Sequence, residues 1–313
     1  MAMNDHVRAA YAIIKENLAV DVVGFSTGFR ELLEQVFGES IRAQGDPSWL
    51  GLPILTCEAL GGDVVQAQHV AAALEIGRIA AGCLDEWQDQ DTDNALWREI
   101  GAARTVNLAV GMIGLSFLTL GRMVDHGTAA DTVLQLKREF ELGLVRMSEG
   151  QHEDLGDNLT IEDYETVAAA KSGTLFRLGC RAGAIVAEAE DDVIDLYGEF
   201  GHNLGILIQM WNDFEGLAGL KGKADAKSHR GLLLVAAQSL GTGDYNPLSA
   251  EGQAGVLYGL LRLQTYYEKT GEALDNCPSA GGLSAFLEAY SPQRLAERAS
   301  ENRSDRRRRR GRG

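Results

Sequence analysis

The stretch Leu84-Asp85-Glu86-Trp87-Gln88-Asp89-Gln90-Asp91-Thr92-Asp93 closes a long apolar segment and sets Asp85 and Asp89 four residues apart. On a helix, side chains at that spacing stand one above the other on the same face. Two carboxylates held so close repel each other, and a proton or a cation between them relieves the repulsion. Glu86 beside them, with Asp91 and Asp93 just beyond, adds further hard oxygen donors. Mg²⁺ suits such a set, because it takes one or two carboxylates, keeps its waters and completes its shell with substrate phosphates. The bland alternative is a solvated acidic helix end.

Working outward, proline is the clearest architectural signal. All five prolines lie at 47, 53, 247, 278 and 292, so the long interval between Pro53 and Pro247 has none. Proline breaks helix interiors, and its absence there suits a stack of long helices. Ala- and Leu-rich periodic segments agree, and no hairpin-like alternation of β-branched residues interrupts them. The expected helices cover about 4–19, 24–38, 50–61, 64–90, 96–122, 128–149, 161–188, 191–218, 229–240, 250–272 and 281–290. Gly-containing joints such as Gly121–Gly127 and Gly241–Pro247 separate them. The expectation is one all-α domain over residues 1–302 and a disordered Arg-rich tail over 303–313.

Composition narrows the class further. With 45% apolar and 24% charged residues, the chain reads as a soluble globular protein. It contains no run of eighteen apolar residues. Its first residues, MAMNDHVRAA, lack the apolar core of a signal peptide. The expectation is therefore a cytoplasmic protein without a transmembrane segment. Cys57, Cys83, Cys180 and Cys277 lack CxxC spacing and read as reduced core residues. The net charge of −16 includes a tail, RSDRRRRRGRG, whose seven arginines and one aspartate carry +6, so residues 1–302 carry −22. An acidic body argues against nucleic acid as the partner.

Two further constellations follow. The first is Lys171-Ser172-Gly173-Thr174-Leu175-Phe176. The second begins at Gly201 and runs through Gly205 to Gln209-Met210-Trp211-Asn212-Asp213-Phe214-Glu215-Gly216, again ending a helix in oxygen ligands. Glycines four apart let a neighbouring helix approach closely. Lys221, Lys223, Lys227, His229 and Arg230 come next as a basic cluster. Two oxygen-rich helix ends with lysines near them suit Mg²⁺ and a polyphosphate.

These residues resemble the trans-isoprenyl diphosphate synthases, the polyprenyl synthetase family, over about residues 40–245, and the chain reads as a divergent member. The family's DDxxD motif is matched by Asp85-Glu86-Trp87-Gln88-Asp89. Its KTG followed by Phe is matched by Lys171-Ser172-Gly173 with Phe176. Its FQxxDDxxD is matched by Ile208-Gln209-Met210-Trp211-Asn212-Asp213-Phe214-Glu215-Gly216, and its GQxxD by Gly150-Gln151-His152-Glu153-Asp154. The resemblance implies the isoprenoid synthase type I fold, a helical bundle around a central cavity, and usually a homodimer. It implies Mg²⁺ held by Asp85, Glu86 and Asp89, and by Asn212 and Asp213. It implies an allylic prenyl diphosphate contacted by Lys171, Lys227 and Gln209, with Asp85, Asp89 and Lys171 carrying catalysis. Ala80 and Ala81, with Phe176, would line the prenyl-chain pocket, where small residues leave room for fifteen carbons or more.

The departures are equally informative. Chain-elongating members carry GGKRxRP before the first motif, where it binds the diphosphate of isopentenyl diphosphate. Here that region reads Gln44-Gly45-Asp46-Pro47-Ser48-Trp49-Leu50-Gly51-Leu52-Pro53, with neither Lys nor Arg. The Arg-Arg pair expected after the first motif is Asn94-Ala95, and Arg98 and Arg104 are the nearest replacements. A second diphosphate without compensating charge is costly to hold. The expected activity is therefore ionisation of an allylic diphosphate with release of diphosphate, then cyclisation or transfer to an acceptor other than isopentenyl diphosphate. Trp87, Trp97 and Trp211 could steady a carbocation or serve as core. A chain-elongating synthase and a non-catalytic subunit of one are the alternatives.

Overall fold

The computed structural model describes residues 3–21, 24–43, 48–89, 96–156, 160–217, 232, 235–236 and 250–298. Every regular element among them is helical. They are α1 (Met3–Asp21), α2 (Thr27–Ala43), α3 (Gly51–Ala59), α4 (Val64–Asp89), α5 (Leu96–Ile100), α6 (Ala102–Gly121), α7 (Ala130–Asp154), α8 (Ile161–Ala168), α9 (Thr174–Val186), α10 (Asp191–Leu217), α11 (Ala250–Asp275) and α12 (Leu283–Glu288). The expected helix 229–240 and the joint Gly241–Pro247 lie mostly outside the described residues, as does the Arg-rich tail.

Several boundaries differ from expectation, among them the end of the helix expected at 24–38, which runs on to Ala43. The expected helix 96–122 divides at Gly101, whose φ of 87° no helix accommodates. The expected helix 161–188 carries a π turn over Ala169–Gly173, so α8 and α9 are out of register as one continuous helix. Helix α7 runs on to Asp154, which places the whole of Gly150-Gln151-His152-Glu153-Asp154 on a helix.

The chain divides into two units. The first comprises residues 1–144, 178–198 and 278–282, and α4 is its axis, packing most extensively on α6 and also on α1 and α3. Small side chains make the close approach possible, since Ala67, Ala71, Ala72, Ala73 and Ala80 on α4 are fully buried. Ser116 of α6 donates to the Ala73 carbonyl oxygen at 2.7 Å, joining the two helices by a buried hydrogen bond. Gly183 lies so close to α3 that a Cβ there would sit 2.9 Å from Thr56 Cβ and collide with the Pro53 carbonyl.

Helix α6 with its following turn, Ala102–Val124, is long and apolar enough to cross a membrane by length and composition. One face of it, including Thr105, Leu108, Met112, Leu115 and Leu120, is buried in the first unit as a core helix.

The second unit comprises residues 145–177, 199–277 and 283–313. Its core includes Phe200, Leu204, Leu207, Met210 and Trp211 of α10, all 1% exposed or less. The Trp211 ring meets Tyr290 edge-on at 5.5 Å between centroids, which makes this tryptophan a core residue. All four cysteines are buried, as the sequence led us to expect.

Candidate functional site

The acidic motif occupies the last turns of α4, a helix of 26 residues with no basic side chain in its final turn. A helix C-terminus carries partial negative charge, so carboxylates there are doubly disfavoured unless a cation joins them. Asp85 and Asp89 are both partly buried, whereas Glu86 is exposed on the next face round. The amide oxygen of Gln88, three residues beyond Asp85, is buried and accepts no hydrogen bond. Partly buried carboxylates and an unsatisfied carbonyl oxygen at a negative helix end fit a hard cation. Among the described residues no three His, Cys, Asp or Glu side chains converge. Water and phosphate oxygens would therefore complete a Mg²⁺ shell here, as that ion prefers.

Upstream on the same helix, Arg78 lies seven residues before Asp85, hence on nearly the same face. Its Nε donates to Glu75 Oε2 at 2.8 Å, and its Nη2 donates to Glu75 Oε1 and to Ser40 Oγ, both at 2.9 Å. Glu75 is fully buried and also accepts from the Tyr11 hydroxyl at 2.6 Å and from Ser40. Burial opposes the Arg78 charge, but the bound Glu75 carboxylate outweighs it and raises the guanidinium pKa. The guanidinium also lies 5.8 Å from the Trp49 ring centroid. Trp49 belongs to the stretch that lacks the expected cations, of which residues 44–47 are not described. Arg98 is exposed, 4.7 Å from the Trp97 ring, and Arg104 is exposed on α6. In the same unit Ala80 is buried and Ala81 exposed.

In the second unit the Lys171 motif is built by close helix approach. A Thr160–Asp163 capping box starts α8: Thr160 N donates to Asp163 Oδ2 at 2.9 Å, and Asp163 N donates to Thr160 Oγ1 at 3.2 Å. The π turn then turns Lys171-Ser172-Gly173 out of the helical register. Three glycines admit it. A Cβ on Gly150 would lie 2.7 Å from Ala170 Cβ, and one on Gly173 would lie 2.8 Å from the His202 ring. A Cβ on Gly205 would lie 2.9 Å from Gly173 Cα and strike the Ser172 carbonyl, so the close approach expected of Gly205 is realised.

Within this frame Lys171 Nζ donates to Asp154 Oδ2 at 2.7 Å. Ser172 Oγ donates to Gln209 Oε1 at 2.9 Å, and Gln209 Nε2 donates to Asp213 Oδ1 at 3.2 Å. Asp213 Oδ2 accepts from the Tyr164 hydroxyl at 2.7 Å and from the Leu232 amide at 2.9 Å. Burial, then the Asp213 carboxylate, pushes the Tyr164 phenol well above its ordinary pKa, so it stays a donor. Asn212 is partly buried beside Asp213, and Glu215 accepts from Arg298 at 2.6 Å. The side-chain amide of Gln151 is buried with neither its nitrogen nor its oxygen paired. Phe176 is buried, and Lys227 lies outside the described residues.

The structure thus links Ser172, Gln209 and Asp213 in one chain of hydrogen bonds and pairs Lys171, next to Ser172 in sequence, with Asp154. It adds Asp154, Tyr164 and Gln151, which the sequence reading did not assign. Asp154 and Gln151 were visible inside a quoted motif. Tyr164 carried no signal at all, because its partner is 49 residues away.

The polyprenyl synthetase family model matches residues 31–237. A geranylgeranyl diphosphate synthase of Mycobacterium tuberculosis is 28% identical over 52% of this chain and 48% of its own length, so the match spans about half of that relative. A tryptophan prenyltransferase of Bacillus subtilis, ComQ, is 24% identical over 84% of this chain and 85% of its own. Among solved structures, the geranylgeranyl pyrophosphate synthetase of Pyrococcus horikoshii superposes with a TM-score of 0.78 at 18% identity, covering 92% of this chain and 96% of that one. A polyprenyl synthase of Caulobacter crescentus, complexed with calcium and isoprenyl diphosphate, gives 0.70 at 20% identity over 95% and 97%. At those identities the superpositions establish the fold, an all-α isoprenoid synthase type I bundle.

Proposed function

The chain belongs to the polyprenyl synthetase family, and from that membership we propose that it ionises an allylic prenyl diphosphate and passes the prenyl cation to an acceptor other than isopentenyl diphosphate. The bond between C1 and the diphosphate oxygen breaks, and its electron pair leaves with diphosphate. The cation is then captured by a nucleophile, which loses a proton, or it cyclises. Asp85, Asp89, Asn212 and Asp213 are the residues that would hold Mg²⁺, which bound there supplies positive charge to the departing group. Lys171, whose ammonium is held by Asp154, is assigned to a phosphate oxygen of the substrate. Gln209 and Lys227 are assigned to the same diphosphate. Buried apolar side chains such as Phe176 keep water from quenching the cation.

One observation carries the choice of acceptor. Where chain elongation needs unpaired cations for a second diphosphate, α4 offers Arg78, whose charge is already engaged by buried Glu75 beside Trp49. The similarity to a tryptophan prenyltransferase across most of both chains points the same way, toward an indole-bearing acceptor. Chain elongation is the second reading, favoured by the likeness to geranylgeranyl diphosphate synthases. We also propose a homodimer, since α6 exposes Val110, Gly114 and Leu118 at four-residue spacing, an apolar stripe suited to a second copy.

The test is diphosphate release from geranyl, farnesyl and geranylgeranyl diphosphate with Mg²⁺, each alone, with isopentenyl diphosphate and with a tryptophan-containing peptide. Release without isopentenyl diphosphate is expected. Longer prenyl diphosphates formed only in its presence would overturn the reading.

A further inference from the structure

Asp213 is held from three directions within the second unit. Its Oδ2 accepts from the Tyr164 hydroxyl at 2.7 Å and from the Leu232 amide at 2.9 Å, and its Oδ1 accepts from Gln209 Nε2 at 3.2 Å. A carboxylate oxygen has two lone-pair directions. Two donors at good hydrogen-bond distance occupy both directions on Oδ2, so any further contact to this carboxylate must come to Oδ1. The Gln209 amide that shares Oδ1 is oriented in turn by Ser172, whose hydroxyl donates to its oxygen at 2.9 Å.

Tyr164 is positioned to do this with little freedom. Its side chain is 5% exposed, so the ring is fixed by packing. It follows directly on Asp163 of the capping box that sets where α8 begins. One short helix separates the capping box from the π turn, so Tyr164 on α8 and Lys171 in the π turn lie seven residues apart on consecutive helical elements.

We propose that Tyr164 is a positioning residue for the second oxygen-rich motif: with the Leu232 amide it closes Oδ2 of Asp213 and directs a divalent cation to Oδ1 alone. Coordination there is one-pronged, and the cation's remaining positions stay open to phosphate oxygen and water. Tyr164 touches neither substrate nor metal and acts only through Asp213. The inference rests on the metal role proposed above for Asp213 and goes beyond it in assigning how that carboxylate is aimed.

The experiment is Mn²⁺ binding to the full chain in the presence of inorganic diphosphate, followed by electron paramagnetic resonance, for Tyr164→Phe, Asp213→Asn and the double variant. Tyr266→Phe is the control, because it removes a phenol that donates to a different carboxylate, Glu165, at 3.4 Å. Removing an outer partner of a metal ligand typically weakens the metal by about ten- to a hundredfold. Tyr164→Phe is expected to show such a loss and Tyr266→Phe none. If Tyr164 acts through Asp213, adding Tyr164→Phe to Asp213→Asn produces little further change. In turnover assays the Mg²⁺ requirement of Tyr164→Phe rises while KM for the prenyl diphosphate at saturating Mg²⁺ stays within about threefold.

Two outcomes separate the two ideas. Unchanged Mn²⁺ affinity in Asp213→Asn removes the metal role of Asp213 itself. Weakened binding in Asp213→Asn with normal binding in Tyr164→Phe overturns the positioning role alone, whatever the variant's melting temperature. Equal, additive losses in the double variant also overturn it, since they would mark a general structural effect.

Discussion

Asp85 and Asp89 set like charges where a helix favours them least, and the metal role proposed for them would answer that repulsion. They stand four apart at the negative end of α4, whose own last turn carries no basic residue. Like charges at that spacing cost a few tenths of a kcal/mol, and a negative charge at a helix C-terminus costs about 0.3–1 kcal/mol. Asp85→Asn is expected to lose about a hundredfold in diphosphate release with Mg²⁺. Thermal melts in chelator alongside the release assay separate that loss from unfolding. A drop in stability with activity intact would make the pair structural.

Elements here are positioned by what glycine omits. Helix α10 meets the π turn through Gly205, where even a methyl group would strike the Ser172 carbonyl. Alanine favours a helix interior over glycine by about 1 kcal/mol, but forced contacts in a tight core typically cost 1–3 kcal/mol. Gly205→Ala is expected to destabilise by about 2 kcal/mol and to displace Ser172 from Gln209. Gly271 on α11 has open space at its Cβ position, so Gly271→Ala should stabilise by roughly 0.5–1 kcal/mol. Urea denaturation of the two variants compares them directly, and equal shifts of the same sign would refute the packing argument. The π turn itself was not legible in the sequence. Ser172-Gly173 marks a weak point in a helix but does not tell a π turn from a break, and the extra residue is accommodated by the neighbours at Gly150 and Gly205, which lie far off along the chain.

For the molecule as a whole, a buried histidine in the first unit and a partly buried one in the second tie stability to pH. Burial, then His126, lowers the His69 pKa, and burial, then Arg177, lowers that of His202, both from 6.5. Below about pH 6.5 the unfolded chain takes up protons that the folded chain still refuses, so stability falls on acidification and recovers fully above that pH. The window runs from 6.5 down to the lowered folded values. Denaturation midpoints at about pH 7.5 and pH 5.5 should differ less in His202→Gln than in the unaltered chain. An unchanged difference would rule out a His202 contribution.

The all-α class, the two oxygen-rich helix ends and the order of the motifs followed from the sequence alone. They depend on local regularities: helical periodicity, the long proline-free interval, and carboxylates spaced one turn apart. The tertiary structure decided which groups those motifs bond to. Arg78 is engaged by Glu75, Lys171 by Asp154, and Asp213 by Tyr164 and the Leu232 amide. A hydrogen bond requires two groups to meet within about 3 Å at the right angle. For residues on different helices, only packing sets that distance, and packing depends on where a glycine lets two backbones touch.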